Sequence, residues 1–92
     1  MSERAEGEFT IINQLGLHAR AAAQLVQVAN RYQGDVLLRV EEEEVNGKSI
    51  MGVLMLAAAC GQLLKVICVG PGATECLREI GALIANKFGE ER

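Results

Sequence analysis

The amino-acid sequence predicts an α+β fold whose elements run β-α-β-β-α-β-α, with the helices laid against one face of the sheet. Three observations predict it. Short segments alternate apolar and polar residues, two longer segments repeat apolar residues every three or four positions, and glycines punctuate the junctions.

Residues 1–7 are polar and charged and read as a flexible tail. Glu8 to Asn13 then puts Phe9 and Ile11 on one face of a strand and Ile12 on the other. Gln14 to Leu17 is a loop hinged at Gly16. From Ala19 to about Tyr32 the period changes: Ala22, Leu25, Val26, Ala29 and Tyr32 form one face of a helix, and Gly34 is placed to cap it. Val36, Leu38 and Val40 alternate along a second strand, Asp35 to Val40.

Glu41 to Glu44 is a run of four carboxylates, read as a solvated turn or edge strand that like charges keep from pairing elsewhere. A short strand follows around Glu43 to Asn46, with a turn at Asn46-Gly47. Ser49 reads as the N-cap of a short helix through Ile50, Met51, Val53 and Leu54. Leu63 to Val69 is apolar on both sides except at Lys65, and Gly70-Pro71-Gly72 breaks it. Ala73, Leu77, Ile80, Ile84 and Phe88 then make a helical stripe, broadened by Cys76 and Leu83. Glu75 and Glu79 suit its start, Lys87 its end and Gly89 its cap.

The chain has 92 residues, which suits one domain spanning 1–92. Half the residues are hydrophobic, so the core can be dense. A net charge of −3 without a basic stripe argues against a nucleic-acid partner, and only three aromatic side chains argue against a base-stacking platform. The longest apolar run, Val53 to Cys60, is too short to cross a bilayer, and the start Met-Ser-Glu-Arg-Ala-Glu-Gly-Glu is not a secretory leader. A cytoplasmic monomer without membrane contact is expected. Cys60, Cys68 and Cys76 form no C-x-x-C pair and stand far from the only histidine, so they read as buried or half-buried free thiols. Neighbouring carboxylates in the glutamate run would point to opposite strand faces. No metal and no cofactor are expected.

The stretch that carries chemistry is Gly16-Leu17-His18-Ala19-Arg20-Ala21-Ala22. His18 falls at the first turn of the first long helix, where backbone N–H groups lack intrahelical partners. Those groups and the helix dipole favour a bound anion such as a phosphoryl group. The same dipole disfavours imidazolium and leaves a neutral ring with a lone pair for attack on phosphorus. Arg20 adds a fixed charge with a planar fork suited to phosphate oxygens. Taken by position alone, such a histidine is more often a cap or a surface residue, and an arginine nearby is common.

Gly-Leu-His-Ala-Arg followed by small residues resembles the active-site signature of HPr, the histidine phosphocarrier family of the phosphoenolpyruvate-dependent phosphotransferase system. Lys48-Ser49-Ile50-Met51-Gly52-Val53-Leu54 resembles the family's regulatory serine segment. The similarity runs from about Glu8 to Phe88 and implies an open-faced β-sandwich, a four-stranded antiparallel sheet covered on one face by helices. It implies that His18 accepts phosphate through Nδ1 from phosphorylated enzyme I and passes it to IIA-type proteins, with Arg20 steadying the phosphoryl group. The protein would turn over no small molecule of its own. Ser49 would be the substrate of a serine kinase/phosphorylase. Gly16, Leu17, Ala19, Ala21, Ile50, Met51 and Leu54 would form the partner-binding surface. The family's usual proline after the arginine is Ala21 here, which should loosen the loop slightly and leave the chemistry intact.

Two alternatives compete with the carrier. A regulatory module of the same fold would act through Ser49 on a transcription factor or enzyme, and in its pure form would lack His18. A small-molecule sensor domain would need neither block. Within the carrier reading, Asp35 to Arg39 and Leu54-Met55-Leu56 resemble the nitrogen-related branch, whereas the Ser49 block resembles the kinase-regulated carriers of sugar uptake.

Overall fold

Alternation along the strands decides which face of the sheet is buried. In the computed structural model, which describes residues 3–92, β1 (Arg4–Thr10), β2 (Asp35–Val40), β3 (Glu43–Asn46) and β4 (Leu63–Val69) form a four-stranded sheet. Their order is β1-β4-β2-β3, and every pairing is antiparallel. Register aligns Phe9 with Leu64, Gly7 and Leu38 with Val66, and Ala5 and Val36 with Cys68. Side chains at such positions share a face. Leu38, Leu64 and Val66 are fully buried on it. The opposite face carries Arg4, Glu6 and Glu8 on β1, Lys65 on β4 and Arg39 and Glu44 on β2 and β3. Lys65 lies 3.3 Å from Glu6 on this open face.

Helices α1 (Ala19–Ala29), α2 (Ile50–Leu56) and α3 (Ala73–Ala85) cover the buried face. α3 packs over β1 and β4, α2 over β2 and β3, and α1 lies against both other helices. Leu25, Val53, Ile80 and Ile84 supply the helical side of the core. Burying side chains of this size contributes about 1.5–3 kcal/mol each. The architecture is the expected α+β open-faced sandwich.

The strands at 35–40, 43–46 and 63–69 fall where the alternation places them. Residues 4–7 do not form a tail. They begin β1, because their charged members alternate toward the open face while Ala5 and Gly7 turn inward. The first two residues of the expected tail lie outside the described residues. α1 ends at Ala29 with Asn30 as its cap, short of Tyr32 and Gly34. Gly34 serves a close approach instead: a Cβ there would stand 2.0 Å from the Val69 carbonyl oxygen. α3 likewise stops at Ala85, and Phe88 reaches the core from a short turn, Lys87–Gly89, at 2% exposure. Cys68 and Cys76 are buried, but Cys60 is exposed, against expectation, in the loop between α2 and β4. Among the described residues, no helix is long and apolar enough to cross a membrane.

Candidate functional site

His18 is the N-cap residue of α1, extended at φ −72° and ψ 178°, and no side chain caps this helix end. The first helical bond runs from the Ala22 N–H to the His18 carbonyl at 2.8 Å. The N–H groups of Ala19, Arg20 and Ala21 therefore precede the helical ladder, as an anion-binding helix mouth requires. Ala21 keeps an N–H that a proline at this position would lack. Arg20 is exposed in the same first turn, and its charge reaches the carboxylate of Glu90.

The loop before His18 is held from two sides. The Gly16 N–H donates to the Asn13 carbonyl at 3.1 Å, and the Leu17 N–H donates to the Ala58 carbonyl at 2.9 Å. Gly16 is left-handed at φ +66°, and a Cβ on it would approach the Ala58 oxygen to 2.5 Å. Only glycine satisfies both conditions. The hinge expected at Gly16 is thus present, and it packs the loop against the end of α2.

Three residues expected at a partner surface are placed in the interior. Leu17 is 3% exposed, Ala21 is fully buried and Gly16 is buried. Leu17 and Ala21 are needed to seat the loop and helix on the core, so they cannot also present side chains outward. Ala19, Ile50 and Met51 are exposed and Leu54 is half-buried. Met51 is 66% exposed, so it is not part of the core. Met55 and Leu15, which were not among the residues expected at the partner surface, are exposed apolar side chains on α2 and on the His18 loop.

Ser49 caps α2 as its position suggests: its Oγ accepts from the Gly52 N–H at 3.1 Å. The segment before it is tied to α1, because Asn30 Nδ2 donates to the Lys48 carbonyl at 3.1 Å. α2 has seven residues, so at about 1.5 Å each it holds Ser49 roughly 10 Å from the end that touches the His18 loop.

Two further residues complete the site. The Glu90 carboxylate receives His18 Nε2 through Oε2, and Asn13 Nδ2 donates to its Oε1 at 3.0 Å. Asn13 is fully buried and also donates to the Gly16 carbonyl at 2.8 Å. The hydrogen bond from His18, then that from Asn13, hold the Glu90 carboxyl below its ordinary value despite partial burial. Neither residue carries a periodic or motif signal. Among the described residues, no three His, Cys, Asp or Glu side chains gather as a metal site would need.

The family model for the HPr component phosphorylation site of the phosphotransferase system matches residues 5–86. The chain belongs to the HPr family. Its HPr relatives include the phosphocarrier protein HPr of Pseudomonas aeruginosa, 51% identical over 84 residues, covering 90% of this chain and 93% of that protein. The phosphocarrier protein HPr of Cupriavidus necator is 48% identical over 81 residues, 88% of this chain and 91% of that one. Among solved structures, HPr-C-His from Thermoanaerobacter tengcongensis superposes with a TM-score of 0.92 at 36% identity, covering 96% of this chain and 99% of that one.

Proposed function

We propose that this chain is a phosphotransferase-system carrier that accepts a phosphoryl group on His18 from phosphorylated enzyme I and passes it to IIA-type proteins. The observation that carries the reading is the placement of the only histidine of an HPr-family chain at an uncapped helix N-terminus. There the free N–H groups and the helix dipole would hold the phosphoryl oxygens, and Arg20 would add charge from the first turn. His18 is partly exposed, its side chain 28% accessible, so a partner's phosphoryl group can reach it. The protein acts as a monomeric cytoplasmic carrier, and Ser49 regulates docking when a serine kinase/phosphorylase modifies it.

Incubation with phosphoenolpyruvate and enzyme I tests the reading. Wild type should gain one acid-labile phosphate, whereas His18→Ala should fold normally and gain none. Acid-labile labelling retained in His18→Ala would sink the proposal.

A further inference from the structure

Glu90 and His18 are 72 positions apart, and the whole C-terminal segment is arranged to bring them together. Lys87, Phe88 and Gly89 all have positive φ, at 55°, 53° and 78°. This turns the chain sharply after α3, and the two residues with side chains tolerate the conformation only because the surroundings hold them there. Phe88 is buried, and its carbonyl accepts from Gln24 Nε2 of α1 at 3.0 Å. Beyond Glu90, the Arg92 carbonyl accepts from the Gln14 N–H at 2.8 Å. The chain on both sides of Glu90 is therefore anchored to the helix and the loop that carry His18. Each Glu90 oxygen has its own partner, Asn13 for one and His18 for the other, and the side chain is only 14% exposed.

A carboxylate can only accept, so the nitrogen facing it carries the proton. In the neutral ring this leaves the lone pair on Nδ1. We propose that Glu90 is a positioning residue for phosphoryl transfer: it holds the proton on His18 Nε2, so that Nδ1 alone takes and releases the phosphoryl group. The inference rests on the phosphocarrier reading and names what directs its chemistry. The Nδ1 lone pair forms the N–P bond while the bond from phosphorus to the donor nitrogen breaks, and that electron pair leaves with the donor. The step requires a donor whose phosphoryl group is likewise held on nitrogen. The ring becomes a phospho-imidazolium that keeps its Nε2 proton, with its positive charge facing Glu90. Onward transfer returns the N–P electrons to Nδ1 and restores the same neutral tautomer. No proton moves in either direction.

The test compares wild type, Glu90→Ala and Glu90→Gln with two donors, phosphorylated enzyme I and the small donor phosphoramidate. NMR of phosphorus and of the ring nitrogens identifies which nitrogen is labelled, and amide spectra report the fold. Wild type should form the Nδ1 adduct alone with both donors. Glu90→Ala should form an Nε2 adduct as well with phosphoramidate, and should accept phosphate from enzyme I about tenfold more slowly, the scale of one charge-assisted hydrogen bond. Glu90→Gln offers an amide oxygen to Nε2, so it should keep the Nδ1 product while losing part of the rate. A folded Glu90→Ala with the Nδ1 adduct alone and the wild-type rate would overturn the inference. Should Glu90→Ala unfold, a Glu90→Gln that transfers as fast as wild type would overturn it equally. A wild type that takes no phosphate from either donor would instead remove the phosphocarrier reading itself.

Discussion

At the scale of single residues, the site is an acid–base pair locked by an amide. Asn13 spends its two donated hydrogen bonds on the Gly16 carbonyl and on Glu90, so the loop turn and the carboxylate orientation depend on one buried side chain. The coupling has a pH signature. The Glu90 carboxyl is held below its ordinary 4.5 in the folded protein, chiefly by His18. A group depressed by folding stabilises the fold above its unfolded value and loses that contribution as pH falls through the folded value. Wild type should therefore melt at a higher temperature than Glu90→Ala at about pH 7, and the gap should close in acid, as pH falls below the ordinary carboxylate range and through the depressed value of Glu90. A gap that persists in acid would mean that Glu90 stabilises the tail by packing and not through its charge.

At the scale of elements, α2 separates capping from docking. Its N-cap bond from Gly52 to Ser49 is worth about 1 kcal/mol, and aspartate caps as well as serine. Ser49→Ala should thus lower stability by about 1 kcal/mol, while Ser49→Asp should leave it unchanged. Phosphate on Ser49 would add about −1.5 to −2 charges beside the exposed Ile50 and Met51. Under the carrier reading with a regulatory serine, Ser49→Asp should slow His18 phosphorylation at unchanged melting temperature. A normal rate would reduce Ser49 to a helix cap and favour the nitrogen-related branch.

The same helix allows an internal control, because Met51 is 66% exposed and Val53 is fully buried two residues later. Met51→Asp should raise the apparent KM for enzyme I by about tenfold without changing stability, as loss of an apolar anchor does. Val53→Asp should unfold the domain, because a buried carboxylate without a partner costs several kcal/mol. Unchanged docking in Met51→Asp would move the partner surface away from α2, toward Leu15 and the loop.

At the scale of the molecule, one face of the sheet is core and the other mixes charged side chains with Leu37 and Ile67, while the candidate site lies where loop, helix ends and tail meet. The thiols report on that division. Burial pushes Cys68 on β4 up to about 12, and burial also raises Cys76 on α3. Cys60 is exposed. A thiol-alkylating reagent at neutral pH should label Cys60 in the folded protein and spare the other two until denaturant is added, since reactivity needs both thiolate and access. Rapid labelling of Cys68 in the native state would contradict the packing of α3 on β4.

What the sequence determined by itself was local. A period of two or of three to four is set by neighbours along the chain, so the strands at 35–40 and 63–69, the helix following His18 and the Ser49 cap were legible without a structure. The histidine's place at a helix mouth followed from the same local pattern. The tertiary structure decided the rest. Polar residues 4–7 became strand because β4 offered an edge to pair with. Leu17 and Ala21 turned inward because the loop and helix needed anchors in the core, and Met51 turned outward because Val53 and Leu56 took the inner side of α2. The bond between Glu90 and His18 spans 72 positions, and no local pattern encodes it. It exists because a left-handed turn and a buried Phe88 aim the last residues back at the first helix, a matter of packing between segments and not of preference within one.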